Sequence, residues 1–218
     1  MTNNKRFSNL PPVVIVGSGG HARVLIDCLQ LIGREVLFCT EISPELYGQL
    51  VDGVLIKGPD ELILDLDCEK VQLANGIGSI GEPSRRQKVY ERFTEKGFEF
   101  ASVIHPTAAV SGSVKIGEGV QIMAGAVAQS GATISHNTIL NTAATIDHDC
   151  QIGPHCHIAP RATLSGAVVV GKRSHIGTGA NVIQAIHIGE GCVVGAGATV
   201  VKNLSDGTVA VGTPAKPI

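Results

Sequence analysis

Aromatic residues are scarce in this chain, at 3% of 218 positions with no tryptophan. So few rings suit an interior filled by small and branched side chains. A C-x-x-C pair is also missing: the six cysteines stand at 28, 39, 68, 150, 156 and 192. Without that spacing they read as reduced core thiols of a cytosolic protein. Excess positive charge is lacking too, and a net charge of −2 leaves no basic footprint for nucleic acid. Long apolar runs are absent as well. The stretch Val13-Val14-Ile15-Val16 before Gly17 is too short for a signal peptide, and no later stretch reads as a membrane span. These absences predict a cytoplasmic protein that engages neither membrane nor nucleic acid.

What the chain has in abundance is glycine, 27 residues of it, and a period of six between residues 110 and 200. A first series runs Val110, Ile116, Ile122, Ala128, Ile134, Leu140, Ile146, Ile152, Ile158, Leu164, Val170, Ile176, Val182, Ile188, Val194 and Val200. A second precedes it by two positions, from Ala108 and Val114 through Cys150, Cys156 and Cys192 to Ala198; all of it but Ile186 is small or medium-sized. Glycine often follows the first series at once (Gly117, Gly153, Gly171, Gly177, Gly189, Gly195), which suggests the unusual backbone angles of a tight corner. Six fits neither a helix at 3.6 nor a long strand at 2, so each unit is a short strand plus a corner. Three hexads make one triangular coil of a parallel β-helix, and each coil lies about 4.8 Å above the last. Residues eighteen apart are then stacked neighbours.

The first hundred residues follow other rules. Residues 1 to 11 read as a loose polar arm. A buried strand, Val13 to Val16, runs into Gly17-Ser18-Gly19-Gly20-His21-Ala22, and then Val24, Leu25, Cys28, Leu29 and Ile32 keep helical spacing up to Gly33. Strands are expected at Glu35 to Cys39, Val71 to Ala74 and Phe98 to Val103, with a helix from Pro83 to Lys96. The prediction is a small Rossmann-like α/β domain over residues 1–104, with a mostly parallel sheet, followed by the β-helix over 105–218. The spacing Gly17-x-Gly19-x-x-Ala22 with Glu41 further on meets the dinucleotide fingerprint in form, but the domain has room for only one mononucleotide-binding half. A diphosphate at the start of the helix is what remains, held by free N–H groups and positive potential.

Four stretches together resemble one family: the turn Gly17-Ser18-Gly19-Gly20-His21, the hinge Val103-Ile104-His105-Pro106, the run Leu140-Asn141-Thr142-Ala143-Ala144-Thr145-Ile146-Asp147-His148-Asp149-Cys150, and the ending Val211-Gly212-Thr213-Pro214-Ala215-Lys216. They are similar to the NeuD-type sugar acyltransferases, among them bacterial N-acetyltransferases of nucleotide-linked 4-amino-4,6-dideoxysugars. The hexads and the ending are common to many left-handed β-helix acyltransferases; the His148-Asp149-Cys150 run joined to a glycine turn is more selective. The resemblance implies a left-handed helix, a homotrimer with active sites between subunits, and acetyl-CoA as donor, with no metal. It implies His148 as general base tuned by Asp149, and acetyl-CoA contacts at His157, Gly166, Thr178 and Ala196. On the acceptor side it implies Gly19, Gly20 and His21 at the diphosphate, with Thr40 and Glu41 at the strand end where the family often carries two acidic residues. Gly76 would border the same crevice, and Asn141 would reach the reacting region or else join an inward asparagine ladder.

The residues support this chemistry on their own account. Attack of an amine on a thioester needs a neutral nitrogen lone pair, and an imidazole is suited to take the proton near pH 7. Stacking by eighteen puts Gly166 one coil above His148, where its N–H would face a developing oxyanion, and sets Thr178 below Ala196 on an adjoining face. Cys150 belongs to the inward series and is expected to be inert, so transfer is direct. An O-acetyltransferase acting on sialic acid or another sugar would use the same base and donor. Two readings of other classes share the scaffold: a zinc hydratase of the γ-carbonic-anhydrase kind, whose pair of histidines five residues apart this sequence lacks, and a noncatalytic nucleotide-binding trimer.

Overall fold

The computed structural model describes residues 10–78 and 83–218. It divides into two compact units, Met1–Pro106 and Thr107–Ile218, two residues later than the expected boundary. The loose arm expected over residues 1 to 11 lies outside the described residues as far as residue 9. Its last residue is not loose: the Pro11 carbonyl accepts hydrogen bonds from Arg34 Nη2 at 2.8 Å and Nε at 3.2 Å.

In the first unit, β1 (Val13–Val16) is fully buried. It leads into α1 (Gly20–Leu31), β2 (Val36–Thr40), β3 (Leu50–Val51), β4 (Val54–Gly58), β5 (Gln72–Asn75) and α2 (Pro83–Thr94). The sheet runs β3-β4-β2-β1-β5, parallel except for the β3-β4 pair. That hairpin was not read from the sequence, although its turn is Asp52-Gly53, with φ of 46° and 82°, a strong short-range hairpin signal. Helix α1 buries Ala22, Leu25, Ile26, Cys28 and Leu29; Val24, assigned to that face, is 42% exposed. Gly33 ends the helix at φ 72°, a left-handed position that favours glycine. The expected strand Phe98 to Val103 is broken. Phe100 makes a single bridge to Leu73, and its ring packs in a core with Val14, Val16, Phe38, Tyr90, Phe93 and Phe98. Tyr90 and Phe100 lie 4.7 Å apart by centroid, within the range of favourable ring pairs.

The second unit is a stack of two-residue parallel strands on three faces, each strand paired in register with the one eighteen residues on. From Val120 onward every member of both aliphatic series is buried. The glycines after the first series do not supply the corner angles, however. Positive φ falls two residues later, at positions such as Asn137, Ala143, Asp149 and Ala167 as well as Gly131. Gly117, Gly153 and Gly171 are glycine because the next coil's backbone passes over them. A Cβ would lie 2.6 Å from His136 N at Gly117, 2.7 Å from Lys172 N at Gly153 and 2.6 Å from Glu190 N at Gly171. After Val200 the register closes early: Val209 pairs with Val193, and a short antiparallel return at Lys216–Pro217 ends the stack.

Candidate active site

His148 and Asp149 form one corner of the β-helix, between the strands Thr145–Ile146 and Gln151–Ile152. Isoleucine on each side is buried, so the polar pair is forced outward, with side chains 61% and 68% exposed. His148 Nδ1 lies 2.8 Å from Asp149 Oδ2. The carboxylate only accepts, so Nδ1 carries the proton and Nε2 keeps its lone pair. Asp147 fixes the backbone by accepting from His148 N at 2.7 Å. The hydrogen bond to Asp149, then the charge of Asp147, raise the imidazole pKa above its ordinary 6.5.

Gly166, one coil on, is buried above this ring. A Cβ there would overlap the imidazole, with Cε1 at 2.5 Å and Cδ2 at 3.1 Å, so the missing side chain is the space in which His148 sits. Cys150 follows the pair but points inward. It is buried, its Sγ donates to the Ser165 carbonyl at 3.2 Å, and burial raises its pKa.

Thr178 and Ala196 stack as expected, with Gly197 N donating to the Thr178 carbonyl at 2.8 Å, and both are exposed. They occupy a corner rather than an adjoining face, and it is a different corner from that of His148: the face carrying Thr145–Ile146, Thr163–Leu164 and Asn181–Val182 separates the two. Asn141 and His157 belong near this second corner. Asn141 is half-buried and joins no inward ladder; its Nδ2 lies 2.9 Å from His157 Nε2, and its Oδ1 accepts from Thr142 N at 2.8 Å. His157 itself is buried, its ring edge-on to His175 at 4.9 Å. One chain therefore joins His148, Asp149 and Gly166 at one corner, and Asn141, His157, Thr178 and Ala196 around another.

In the first unit, the glycine turn ends at the N-cap of α1, Gly19, with no side-chain cap and no acidic residue in the first turn. A Cβ at Gly19 or Gly20 would meet no described atom within 4 Å, and His21 is half-buried beside them. Thr40 is completely buried, and its hydroxyl donates to Asp60 Oδ1 at 2.5 Å while accepting from Gly17 N at 3.2 Å. It is thus a strut beneath the turn and presents no free hydroxyl to a base. Glu41 accepts from Ser18 Oγ at 2.5 Å and from Ile42 N at 2.8 Å. Burial alone would raise its pKa, but these bonds, one from Ser43 N and the charge of Arg85 outweigh burial and lower it.

Gly76 is a packing glycine: a Cβ would meet Ile15 Cγ2 and Val16 O at 2.8 Å and Ala22 Cβ at 2.9 Å. Sequence reasoning missed Ser18 and Asp60, and also Arg86, whose buried Nη1 donates at 2.8 Å to the carbonyls of Asn75 and Ile77 on either side of Gly76. Their signal was weak, since the partners of each lie far along the chain or in an irregular turn. Among the described residues, no group of three or more His, Cys, Asp or Glu is placed to hold a metal ion, and no helix is long and apolar enough to cross a membrane.

Residues 12–93 match the PglD N-terminal domain family. The crystal structure of PerB from Caulobacter crescentus, solved with CoA and GDP-perosamine, is 38% identical over 96% of this chain and 98% of that one, with a TM-score of 0.87. The acetyltransferase domain of PglB from Neisseria gonorrhoeae FA1090 is 36% identical over 95% of this chain and 99% of that one, also at 0.87. A GDP-perosamine N-acetyltransferase of Escherichia coli O157:H7 is 33% identical over 98 residues, which span 42% of this chain and 42% of that protein. Full-length agreement at this identity, over an α/β unit and a left-handed hexapeptide β-helix, places the chain in the NeuD-type family of sugar acyltransferases.

Proposed function

We propose that the chain transfers an acetyl group from acetyl-CoA to the 4-amino group of a nucleotide-linked 4-amino-4,6-dideoxysugar. The observation that carries this reading is the His148-Asp149 pair, exposed at a corner, with the Nε2 lone pair kept and the ring seated against Gly166. His148 Nε2 takes a proton as the sugar amine attacks the thioester carbonyl. A C–N bond forms, the carbonyl oxygen becomes an oxyanion beside the Gly166 N–H, and collapse breaks the C–S bond. The proton held on His148 then goes to the departing thiolate. Asp149 keeps the ring in the tautomer that accepts at Nε2 and stabilises its charged form. Direct transfer is favoured because Cys150, the one thiol beside the pair, is buried, and burial raises its pKa and disfavours the thiolate.

The donor set at His157, Thr178 and Ala196 lies at another corner from His148, with Asn141 orienting His157 through the bond between them. A donor that touches both sets needs two copies of the chain, which supports a homotrimer with each site shared between neighbours. Gly19, Gly20 and His21 would receive the diphosphate, whose charge complements a helix start without acidic residues. Glu41, its carboxylate already anchored by Ser18, would meet the nucleoside. Nucleotide sugars, acetyl-CoA and six free cysteines all fit the cytoplasm.

The test is a panel of GDP-, UDP- and dTDP-linked aminosugars with acetyl-CoA, read as release of free CoA thiol, with GDP-perosamine first. Turnover confined to 4-amino compounds supports the reading. Turnover of hydroxyl acceptors such as sialic acid instead would overturn it, and a monomeric mass by light scattering would remove the shared site.

A further inference from the structure

We infer that Gly131 is a positioning residue for the reaction: by having no side chain it seats the Asp149 carboxylate, and through it sets the direction and basicity of the His148 ring. The inference rests on the role proposed for His148 but concerns a residue one coil below it. Gly131 is at the same corner, eighteen residues before Asp149. A Cβ built on it would run into Asp149 Oδ1 and come within 3.4 Å of Cγ and 3.6 Å of the Asp149 N. The carboxylate that binds His148 Nδ1 at 2.8 Å therefore rests on the bare backbone of Gly131.

Backbone conformation does not explain this glycine. Its φ is 77°, in the left-handed region, but Ala143, Ala167 and Ala185 hold the same place in their hexads at 55°, 58° and 58°. The β-helix thus accepts a Cβ at such corners, and what is particular to Gly131 is the carboxylate above it. Gly191 offers the contrast, with φ 61° and nothing within 4 Å of an added Cβ.

The floor cannot readily move aside. Gly131 N donates to Ser113 Oγ at 3.2 Å, Ser113 Oγ lies 2.9 Å from Ser130 Oγ, and Asp149 N donates to the Ser130 carbonyl at 3.0 Å. With Gly166 above the imidazole and Gly131 below the carboxylate, the pair is held in a slot made by two absent side chains. The charged groups facing the ring are Asp149 and Asp147 on its own corner; Ser130 and Gly131 below, and Gly166 and Ala167 above, do not titrate near neutral pH.

The experiment follows the imidazole of His148 by NMR titration of the full chain, alongside the pH dependence of kcat/KM. Asp149 raises the proton affinity of His148, so displacing it lowers that affinity. Gly131→Ala and Asp149→Asn should both shift the His148 titration and the acidic limb of kcat/KM to lower pH. Each should also lower the plateau rate by roughly tenfold, a fraction of the 10²–10⁴ a general base contributes. The double variant should go no further than Asp149→Asn alone, and Gly191→Ala should move neither readout. A His148 titration unchanged in Gly131→Ala but shifted in Asp149→Asn would overturn the inference, as would additive losses in the double variant. Should Gly131→Ala fail to fold, Gly131→Ala/Asp149→Ala should regain the melting temperature of Gly191→Ala, and continued misfolding there counts against the proposed contact. The titration needs no turnover, so a His148→Ala variant with full activity would sink the base assignment while leaving the Gly131 result readable.

Discussion

Gly166 in the repeat unit and Gly20 in the first unit both lack a side chain, but the space each leaves is used differently. At Gly166 the space is filled by the protein's own imidazole. Around Gly20 no described atom lies within 4 Å of an added Cβ, at a helix start with no capping side chain. The first is an internal fit, in which a coil eighteen residues away supplies both the group and its seat. The second leaves room where the proposed nucleotide sugar would sit. A substitution at the first should therefore act on the chemical step, and one at the second on binding.

Four outcomes would break or sharpen that contrast. His148→Ala, at a side chain 61% exposed, should lower kcat by about 10²–10⁴ with little change in melting temperature, as measured by thiol release and thermal denaturation. Gly166→Ala should push the ring from its seat and cost about 10² in kcat, the scale of an ångström of misplacement, with KM for both substrates little changed. Gly20→Ala should raise KM for the nucleotide sugar by about tenfold, the loss of roughly one charge-assisted hydrogen bond. Its melting temperature should hold or rise, because alanine is favoured over glycine within a helix. If Gly20→Ala lowered kcat and left KM alone, the contrast would fail. Cys150→Ala should leave turnover intact, and an acetylated Cys150 found by mass spectrometry would refute direct transfer.

The His148-Asp149 contact also ties stability to pH in a fixed sense. The raised folded-state pKa means that the contact stabilises the fold below the ordinary histidine value and that this contribution is lost as pH rises through the folded value. Both side chains are largely exposed, so solvent screens the effect and it should be small beside the effect on rate.

The two units also differ in how they fill their interiors. All the aromatic residues lie in the first hundred positions, and five of them pack in one cluster. The repeat has no ring to pack except imidazole, and fills its prism with one branched and one small side chain per hexad. That difference governs how far each could be read. In the repeat up to Val200 the stacked strand partner lies eighteen residues away, so the places of His148 under Gly166 and Thr178 under Ala196 followed from counting. In the first unit the partners are irregular: Thr40 finds Asp60, Glu41 finds Ser18, and Arg86 finds the carbonyls of Asn75 and Ile77. Nothing in a period could announce them, nor that Phe98 to Val103 would pair with Leu73 through Phe100 alone.

The sequence by itself determined the parallel β-helix, its register and the inward fate of Cys150, because a six-residue period allows only one alternation of buried and exposed positions. It also marked His148, Asp149 and the glycine turn by their chemistry. The tertiary structure decided what depends on distances between coils and loops. It assigned the glycines of the first series to backbone approach, buried Thr40 beneath the turn, and parted His148 from Thr178 by a whole face. It also set Asp149 upon Gly131. Those outcomes are fixed by which atoms would overlap, and overlap is a property of three dimensions that no spacing along one chain contains.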